Sequence, residues 1–302
     1  MQKSPRLLIG TSNKIFLLDP ITEQLELLLE RKKRKKWFFF DASSKGFFGI
    51  CQLDPCTIIA AAREKLGTKK AGKPSTDVIV HQVPLSGGGG PSCKVMDVHD
   101  VHQISCYEGD VYLTDTGKNR IVIAKLDSGC VVKRLNVGPA RQDISHINAV
   151  IVNGGVLYVG LNNRGDKDAE VIKIPIARLP EGECDLLAPE LGAEITVLSG
   201  CHHTHDIHLD SDRIMFCASH DGNIHYVGEE KPFYSSSDWV RGLASTEDSI
   251  WVGVSQKAER GKRHSEDLFG EVVEIDKSTG CELRRIRIEG AGQVNDLLFI
   301  NE

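Results

Sequence analysis

The chain has 302 residues, of which 40% are hydrophobic and 26% are charged, a composition that supports a sizeable core and excludes a disordered chain. The net charge of −5 and the pI near 6.1 provide no basic surface for nucleic acid. No apolar run reaches the ~18 residues of a membrane span, and the first residues lack the apolar core of a signal peptide. The nine cysteines include no Cys-x-x-Cys pair, and Cys106, Cys130 and Cys217 lie in or beside apolar runs, as small buried side chains would. We therefore expect a reduced, cytoplasmic protein that binds neither nucleic acid nor a membrane.

Three strand-like runs open the chain, at residues 6–12 (RLLIGTS), 14–20 (KIFLLDP) and 22–30 (TEQLELLLE). A helix is the alternative for residues 22–36, and again for residues 57–67 (TIIAAAREKLG). The Lys/Arg run at residues 31–36 is interpreted as a solvated loop rather than as a surface for an anion or a partner.

A short phrase then recurs along the chain and marks the first strand of a repeated unit. The third residue of every copy is aliphatic or aromatic, and the sixth is apolar in every copy except the fourth, where Asp210 stands. The six copies are KGFFGI (45–50), HDVHQI (99–104), SHINAV (145–150), HDIHLD (205–210), DWVRGL (238–243) and GQVNDL (292–297). The first five copies are each followed by a second and a third β-rich run, with turn residues between them. A fourth run is clear in three units, at residues 130–137, 194–200 and 281–289. Four short strands per unit are typical of β-propeller blades.

The sixth unit contains only its first strand before the chain ends, and the three amino-terminal runs are the strands that it lacks. Pairing the last strand with the first removes an open edge from the ring. The sequence therefore predicts an all-β fold with a single domain over residues 1–302. This domain is a six-bladed β-propeller closed by pairing the C-terminal strand with the N-terminal strands. A β-sandwich is the alternative, but it does not account for six aligned first strands.

The first strands of a propeller line its central channel, and polar side chains that point there need partners. We therefore expect the fourth residues of the six phrases to meet in one ring. These residues are Phe48, His102, Asn148, His208, Arg241 and Asn295. Imidazole and amide ligands suit a divalent metal such as Zn²⁺, Mn²⁺ or Fe²⁺ better than Ca²⁺. The predicted metal ligands are His102, His208, Asn148 and Asn295.

Other residues near the same ends of these strands are candidates for the chemistry of a small-molecule ligand. His146 is the candidate catalytic base, because an imidazole titrates near neutral pH. Arg241 is expected to act with it by anchoring an anionic group, which its planar fork matches. His99, His205 and Asp238, each the first residue of its phrase, are the expected substrate contacts. The alternative is a polar, water-filled channel in which repeated His–Asp pairs have only a structural role.

Several runs resemble a known superfamily: HINAVIVNGGVLYVG (146–160), VRGLASTEDSIWVG (240–253) and VNDLLFIN (294–301). They are similar to blades of six-bladed propellers of the gluconolactonase, paraoxonase, strictosidine synthase and NHL type, and more narrowly to an uncharacterised bacterial branch known as a domain of unknown function. This resemblance implies lactone or ester hydrolysis with a divalent ion in the channel. Asn148 and Asn295 fall where that pattern places amide ligands. His102 and His208 stand where it has oxygen ligands, and no amino-terminal glutamate ligand is matched, which favours a histidine-bound transition metal.

Two functions follow from these observations. The first is a metal-dependent hydrolase or lyase that acts on a small polar or anionic molecule, such as a sugar-derived lactone or ester, at one end of the channel. The second is a non-catalytic propeller that binds a ligand or a protein partner through its loop-rich face. Both are compatible with the fold, because propellers serve both purposes.

Overall fold

The computed structural model describes residues 5–30, 46–63, 77–138, 143–201, 203–259, 262, 265 and 267–300. The Lys/Arg run at 31–36 and His202 lie outside these ranges. Within them, no helix has the length and apolar character needed to cross a bilayer. Single turns of 3-10 helix occur at Thr116–Lys118, Asn163–Gly165, Ile176–Arg178 and Pro189–Leu191.

Twenty-five strands make up the described part of the chain. They are β1 (Arg6–Thr11), β2 (Lys14–Leu18), β3 (Leu25–Glu30), β4 (Phe47–Asp54), β5 (Thr57–Arg63), β6 (Asp77–Pro84), β7 (Ser92–Met96), β8 (Ile104–Tyr107), β9 (Asp110–Asp115), β10 (Arg120–Lys125), β11 (Val131–Asn136), β12 (Ile147–Asn153), β13 (Val156–Leu161), β14 (Ala169–Pro175), β15 (Cys184–Asp185), β16 (Glu194–Leu198), β17 (Thr204–Asp210), β18 (Arg213–Ala218), β19 (Asn223–Tyr226), β20 (Tyr234–Ser235), β21 (Trp239–Ser245), β22 (Ser249–Ser255), β23 (Gly270–Asp276), β24 (Glu282–Ile288) and β25 (Val294–Ile300).

These strands form six antiparallel sheets arranged as the blades of a propeller, which confirms the predicted fold class. We number the blades one to six by their innermost strands, β4, β8, β12, β17, β21 and β25. Blade 6 has the order β25-β1-β2-β3, so the C-terminal strand pairs with the N-terminal strands, as predicted. Blade 2 has an addition that was not predicted, the two-residue strand β15, which pairs parallel to the outer strand β11. The helical alternatives are excluded over β3 and β5, both of which are strands.

The apolar core lies between neighbouring sheets. Ile121 and Ile123 of blade 2, for example, pack with Val159 and Ile172 of blade 3 in one buried cluster. Because both faces of a blade are covered by its neighbours, a strand inside a blade can be buried along its whole length, as β22 is. Full burial of such a side chain stabilises the fold by about 1.5–3 kcal/mol.

The cysteines differ from the prediction. Cys51 of β4 and Cys106 of β8 form a disulfide between blades 1 and 2, with their Cα atoms 6.1 Å apart. Cys130 is exposed, because it lies in the turn before β11, whereas Cys217 is buried as expected. The expectation of a fully reduced chain is therefore not met in the structure.

The repeated phrase leads into each inner strand, and in blade 2 only its last residue, Ile104, belongs to β8. The pairing of the inner strand with the second strand tests the alignment of the phrase. In blade 1, Phe47 pairs with Ala62 of β5 and Ile50 pairs with Ala60, so β4 has one residue more than β5 over this stretch. The extra residue is a β-bulge. The same shift lies between Thr204 and Ile207 in blade 4. Thr204 is thus the third residue of that phrase and His205 the fourth. The sequence alignment of this blade is displaced by three residues, and its one exception disappears, because the sixth residue becomes the apolar Ile207 instead of Asp210.

Hydrogen bonds between blades support the corrected alignment. In five junctions, a side chain of one blade donates to the backbone carbonyl of the third phrase residue in the next blade. The pairs are Asn295 Nδ2 to Phe47 O (2.8 Å), Arg63 Nε to Val101 O (2.7 Å), Thr116 Oγ1 to Ile147 O (2.5 Å), Asn148 Nδ2 to Thr204 O (2.8 Å) and Ser219 Oγ to Val240 O (2.6 Å). The repeated phrase therefore encodes the joints of the propeller as well as its inner strands.

Candidate functional site

The fourth residues of the six phrases form a ring at one mouth of the channel, and five of the six are polar. The corrected ring consists of Phe48, His102, Asn148, His205, Arg241 and Asn295. The centroid of the His102 imidazole lies 6.2 Å from the centroid of the Phe48 phenyl group and 5.6 Å from that of the His205 imidazole. Arg241 Nη2 is 2.9 Å from His205 Nε2. His102 and His205 belong to blades 2 and 4, which are not neighbours, so their contact spans the channel. The prediction that these positions converge is correct for the ring, with His205 in the place expected for His208.

His146, the second residue of the phrase in blade 3, lies above this ring. Its ring centroid is 5.7 Å from that of His102, and its Nδ1 is 2.8 Å from Asp143 Oδ1. A carboxylate only accepts hydrogen bonds, so Nδ1 carries a proton, and in the neutral imidazole Nε2 then carries the lone pair. Arg164 orients the carboxylate, since it forms an ion pair with Asp143 and its Nε donates to the Asp143 carbonyl at 2.6 Å. An imidazole held in this tautomer by a carboxylate has the arrangement of a general base.

The backbone near this mouth takes up uncommon conformations. His146 has φ of +47°, Asp100 of +65° and His203 of +54°, all at the second position of their phrases. A non-glycine residue in the left-handed region costs about 1–2 kcal/mol, and such strain clusters at functional sites.

Arg63 and Asp100 close one side of the site. The Arg63 guanidinium stacks on Phe48, 3.6 Å from the ring centroid, and forms an ion pair with Asp100. Asp100 Oδ2 in turn lies 3.7 Å from His102 Nε2. Burial opposes ionisation of Asp100, but Arg63 and His102 outweigh it and hold the pKa of this carboxyl below its usual value. Asp100 is therefore charged at neutral pH.

The two ring histidines are neutral at physiological pH. Burial, with the Arg63 charge as a second cause, lowers the pKa of His102 to about 3. Burial and the Arg241 charge lower the pKa of His205 well below its usual value. Neutral imidazoles can bind a metal ion or accept a proton, whereas imidazolium ions can do neither.

Three atoms of the ring that could bind a cation or accept a hydrogen bond lack a partner in the part of the chain that the structure describes. They are His102 Nε2, Asn148 Oδ1 and Asn295 Oδ1, all hidden from solvent. Both asparagines are held in one orientation, because their Nδ2 atoms donate to the carbonyls that join the blades. A buried polar atom without a partner costs about 1–3 kcal/mol. The ring thus presents two amide oxygens and an imidazole nitrogen that a bound cation or donor would satisfy.

The fifth residues of the six phrases form a second layer below the ring, in which large and small side chains alternate. Gln103, Asp206 and Asp296 stand in blades 2, 4 and 6; Gly49, Ala149 and Gly242 stand in blades 1, 3 and 5. Each large side chain accepts a backbone N–H of the next blade: Gln103 Oε1 from Val150 (2.9 Å), Asp206 Oδ2 from Gly242 (2.8 Å) and Asp296 Oδ2 from Ile50 (2.9 Å).

Two of these three acceptors are carboxyl groups, although the joint needs only an oxygen, as Gln103 shows. Asp206 and Asp296 are 4% and 5% exposed, so desolvation opposes their ionisation. Burial raises the pKa of Asp206 to about 6, against the opposing effects of the Gly242 N–H and Arg241. Burial and the nearby Asp206 raise the pKa of Asp296 well above its usual value. The layer therefore carries more acidic groups than its packing requires.

The predicted metal site stays a prediction. Among the described residues, no group of three His, Cys, Asp or Glu side chains is arranged to hold a metal ion. The three unsatisfied ring atoms, which include amide oxygens, match the donor types that mixed nitrogen–oxygen sites use. His102, Asn148 and Asn295 thus fit the expected ion by the chemistry of their donors. A small cavity between blades 3 and 4 adjoins this ring and is lined in part by Asn148, His205 and Asp206.

Three predicted site residues lie away from the ring. His208 is three residues beyond His205 on β17, and its Nε2 is 2.8 Å from Ser245 Oγ. His99 packs against Asp115, whose Oδ1 accepts from the His99 backbone N–H at 2.6 Å. Asp238 Oδ1 accepts from the backbone N–H of Lys257 at 3.3 Å. None of these contacts brings the side chain to the channel mouth.

Sequence reasoning did not find three further residues of the site. Arg63 lies at the end of β5, outside the repeated phrase, and gave no signal. Asp143 precedes its phrase by two residues and gave none either. Asp296 did leave a signal, because it occupies the fifth position of its phrase, where the copies in blades 1, 2, 3 and 5 have Gly, Gln or Ala.

Comparisons with known proteins identify the fold of the chain but assign it to no family. No family model matches the chain, and no curated protein matches it. Among solved structures, a chain of a nidogen/laminin complex is 13% identical, with a TM-score of 0.63 and 98% of each chain covered. A protein of unknown function from Bacteroides caccae is 16% identical, with a TM-score of 0.60 and 99% of this chain and 100% of that chain covered. A candidate 6-phosphogluconolactonase from Bacteroides uniformis is 11% identical, with a TM-score of 0.57 and the same coverage. These likenesses show that the chain has the shape of a six-bladed β-propeller.

Proposed function

We propose that the channel mouth around His102 is the active site of a metal-dependent hydrolase or lyase that acts on a small anionic molecule, such as a sugar-derived lactone or ester. The observation that carries this proposal is the set of three buried, unsatisfied atoms on the ring: His102 Nε2, Asn148 Oδ1 and Asn295 Oδ1. Folding removes water from these three atoms, and no described residue replaces it as a hydrogen-bond partner. This is expected where a bound ligand supplies the partner. The likeness to the candidate 6-phosphogluconolactonase is compatible with this reaction class.

His102, Asn148 and Asn295 would hold a divalent cation such as Zn²⁺, Mn²⁺ or Fe²⁺. When bound, such an ion supplies a Lewis acid that polarises a carbonyl or phosphoryl oxygen. The excess acidic groups of the layer below, Asp206 and Asp296, favour a positive charge at this place, because a nearby cation stabilises their ionised forms.

The remaining residues have roles that follow from their charge and tautomer. Arg241 contributes a positive charge to the mouth, where its Nη2 lies 2.9 Å from Nε2 of the neutral His205. It would anchor a carboxylate or phosphate of the substrate. His146, held by Asp143 with the lone pair on Nε2, would take a proton from water or from a carbon next to a carbonyl.

Metal analysis of protein purified without a histidine tag tests this proposal. We expect about one divalent ion per chain after incubation with Mn²⁺ or Zn²⁺ and gel filtration, and at least a tenfold loss of affinity in His102→Gln and Asn148→Ala. His208→Gln is the matched control, because it removes a half-buried imidazole of the inner strand β17 whose hydrogen-bond partner is Ser245 and not a residue of the ring. Unchanged metal binding in the ring variants, or no binding of any of these ions, would refute the metal site.

Activity is tested separately with a panel of lactones and of carboxylic and phosphoric esters, with and without EDTA. Turnover that is lost in EDTA, and reduced in His146→Gln without loss of metal, supports the enzyme. Saturable binding of the same anions without turnover would instead support the second candidate, a non-catalytic binding propeller. The likeness to a chain from a protein–protein complex is compatible with that candidate.

A further inference from the structure

A second group of reactive side chains lies towards the other end of β17 and β21, away from the ring. Here His208 Nε2 is 2.8 Å from Ser245 Oγ, across the junction of blades 4 and 5. Both residues are partly exposed. A serine hydroxyl within hydrogen-bond reach of an imidazole nitrogen is the pairing that activates a serine nucleophile.

Charged groups surround this pair. Lys277 Nζ donates to Asp210 Oδ1 and to the Thr246 carbonyl, both at 2.5 Å. Tyr226 donates its hydroxyl proton to Asp210 Oδ2 at 2.7 Å. The Lys277 ammonium is thereby fixed next to the end of β21, where Ser245 lies, and it adds positive charge beside the hydroxyl.

His208 is in the form that a base requires. Burial lowers the pKa of its imidazole to about 4; Asp210 opposes this shift, and Lys277 adds to it. The imidazole is therefore neutral at pH 7, and its Nε2 can accept the serine proton. Asp210 lies two residues along the same strand, so it is on the same side of β17 as His208 and favours the imidazolium that would form.

The side chains at the level of His208 on the other inner strands are uncharged. They are Cys51, Ser105, Ile151, Ala244 and Leu298. Ile151 and Leu298 are half-buried and pack against the edges of apolar clusters. At the level of the Ser–His pair the other blades thus carry uncharged side chains, two of them apolar and half-buried, whereas the first mouth combines imidazoles with arginines and carboxylates.

We propose that Ser245 is a nucleophile and His208 its general base in a second, esterase-type site for small apolar carboxylic esters. Ser245 Oγ attacks the ester carbonyl while its proton passes to His208 Nε2. The carbon–oxygen bond to the alcohol then breaks, and the alcohol leaves with that proton. Water, deprotonated by His208, attacks the acyl-serine, and the serine oxygen regains the proton as the acid leaves. The proposal does not depend on the metal site at the first mouth.

A fluorophosphonate that reacts with activated serines tests this site directly. We expect one covalent adduct per chain, detected by intact mass, on the tryptic peptide of residues 242–257. This peptide also contains Ser249 and Ser255, so fragment ions must place the adduct on Ser245. Ser245→Ala should abolish the adduct, and His208→Gln should slow its formation by ~100-fold or more, the usual effect of removing a general base.

His220→Gln is the matched control, because it removes an exposed histidine of the same blade. It should label at the rate of the unchanged protein. Thermal melting and near-ultraviolet circular dichroism establish that Ser245→Ala and His208→Gln remain folded, and Ser245→Cys, probed with iodoacetamide, keeps the test valid if the alanine variant unfolds. No adduct on the unchanged protein, an adduct that persists in Ser245→Ala, or equal labelling rates in His208→Gln would overturn the proposal and leave the pair as a joint between blades.

Discussion

Replacing Asp206 with asparagine tests whether burial in the layer below the ring raises the pKa of its carboxyl group. Gln103 accepts a backbone N–H in the same layer through an amide oxygen, so the amide oxygen introduced by Asp206→Asn can keep the bond from Gly242. The substitution therefore removes the charge and the titration but preserves the joint between blades 4 and 5.

The size and sign of the effect follow from linkage. Burial raises the pKa of Asp206 from 3.8 to about 6. The folded protein then binds more protons than the unfolded chain between these two values, so stability falls as pH rises through this window and is flat above it. A shift of about 2 pKa units corresponds to about 3 kcal/mol. Relative to the unchanged protein, Asp206→Asn should gain about 3 kcal/mol of unfolding free energy between pH 4 and pH 7, and more if Asp296 ionises more easily beside it.

Urea denaturation in EDTA, followed by the fluorescence of the buried Trp251, measures this at pH 4, 5, 6, 7 and 8. The quantity of interest is the difference in unfolding free energy between the variant and the unchanged protein at each pH. Gln103→Glu is the complementary variant, because it places a carboxyl group in the third equivalent position and should make stability fall with rising pH. A difference that stays flat from pH 4 to pH 8 would show that Asp206 ionises normally in the folded protein, and our reasoning about this layer would fail.

Two further predictions concern the backbone and the disulfide. Gly242→Ala should cost about 3 kcal/mol or more in urea denaturation, because φ is +74° there and the added Cβ would lie 2.9 Å from the carbonyl carbon of Asp296. Gly109→Ala, with φ of +79° but no atom within 4 Å of the added Cβ, should cost only the conformational strain of about 1 kcal/mol; equal losses would contradict the close approach at Gly242. Replacing Cys51 and Cys106 together by alanine should lower the unfolding free energy by up to about 4 kcal/mol, since the bridge spans 55 residues. An intact mass equal to that of the fully reduced chain would show that this disulfide does not form.

The repeat was readable because propeller blades impose the same demands six times. The third and sixth residues of each phrase pack between sheets, so they are apolar in nearly every blade. Strand boundaries were clear where β-branched runs end in turn residues, as in β13 and β22. The outer strands β7 and β20 were missed, because they are short and half-exposed and carry no apolar pattern.

The ring was predicted well for five of the six blades, and the failure in blade 4 has a physical cause. The first four residues of HDIHLD match those of HDVHQI, with Ile in place of Val, but the matching stretch lies three positions away from the true structural equivalent. The alternation of apolar and polar residues along a strand indicates only which face of the sheet a side chain lies on. The position of the β-bulge determines how far along the channel axis that side chain lies. The anomalous Asp210 at the sixth position was the one trace of the error in the sequence.

The amino-acid sequence alone predicts the architecture: six blades, closed by both ends of the chain, with polar residues gathered at one end of the inner strands. Which of these residues meet depends on the tertiary structure. His102 contacts His205 rather than His208, Asp143 holds His146, and two carboxyl groups lie below the ring. These relations depend on contacts between strands far apart in sequence and on the register of each bulge. A local pattern encodes burial and turns, which recur in every blade, but it does not encode the height at which side chains of different blades face each other.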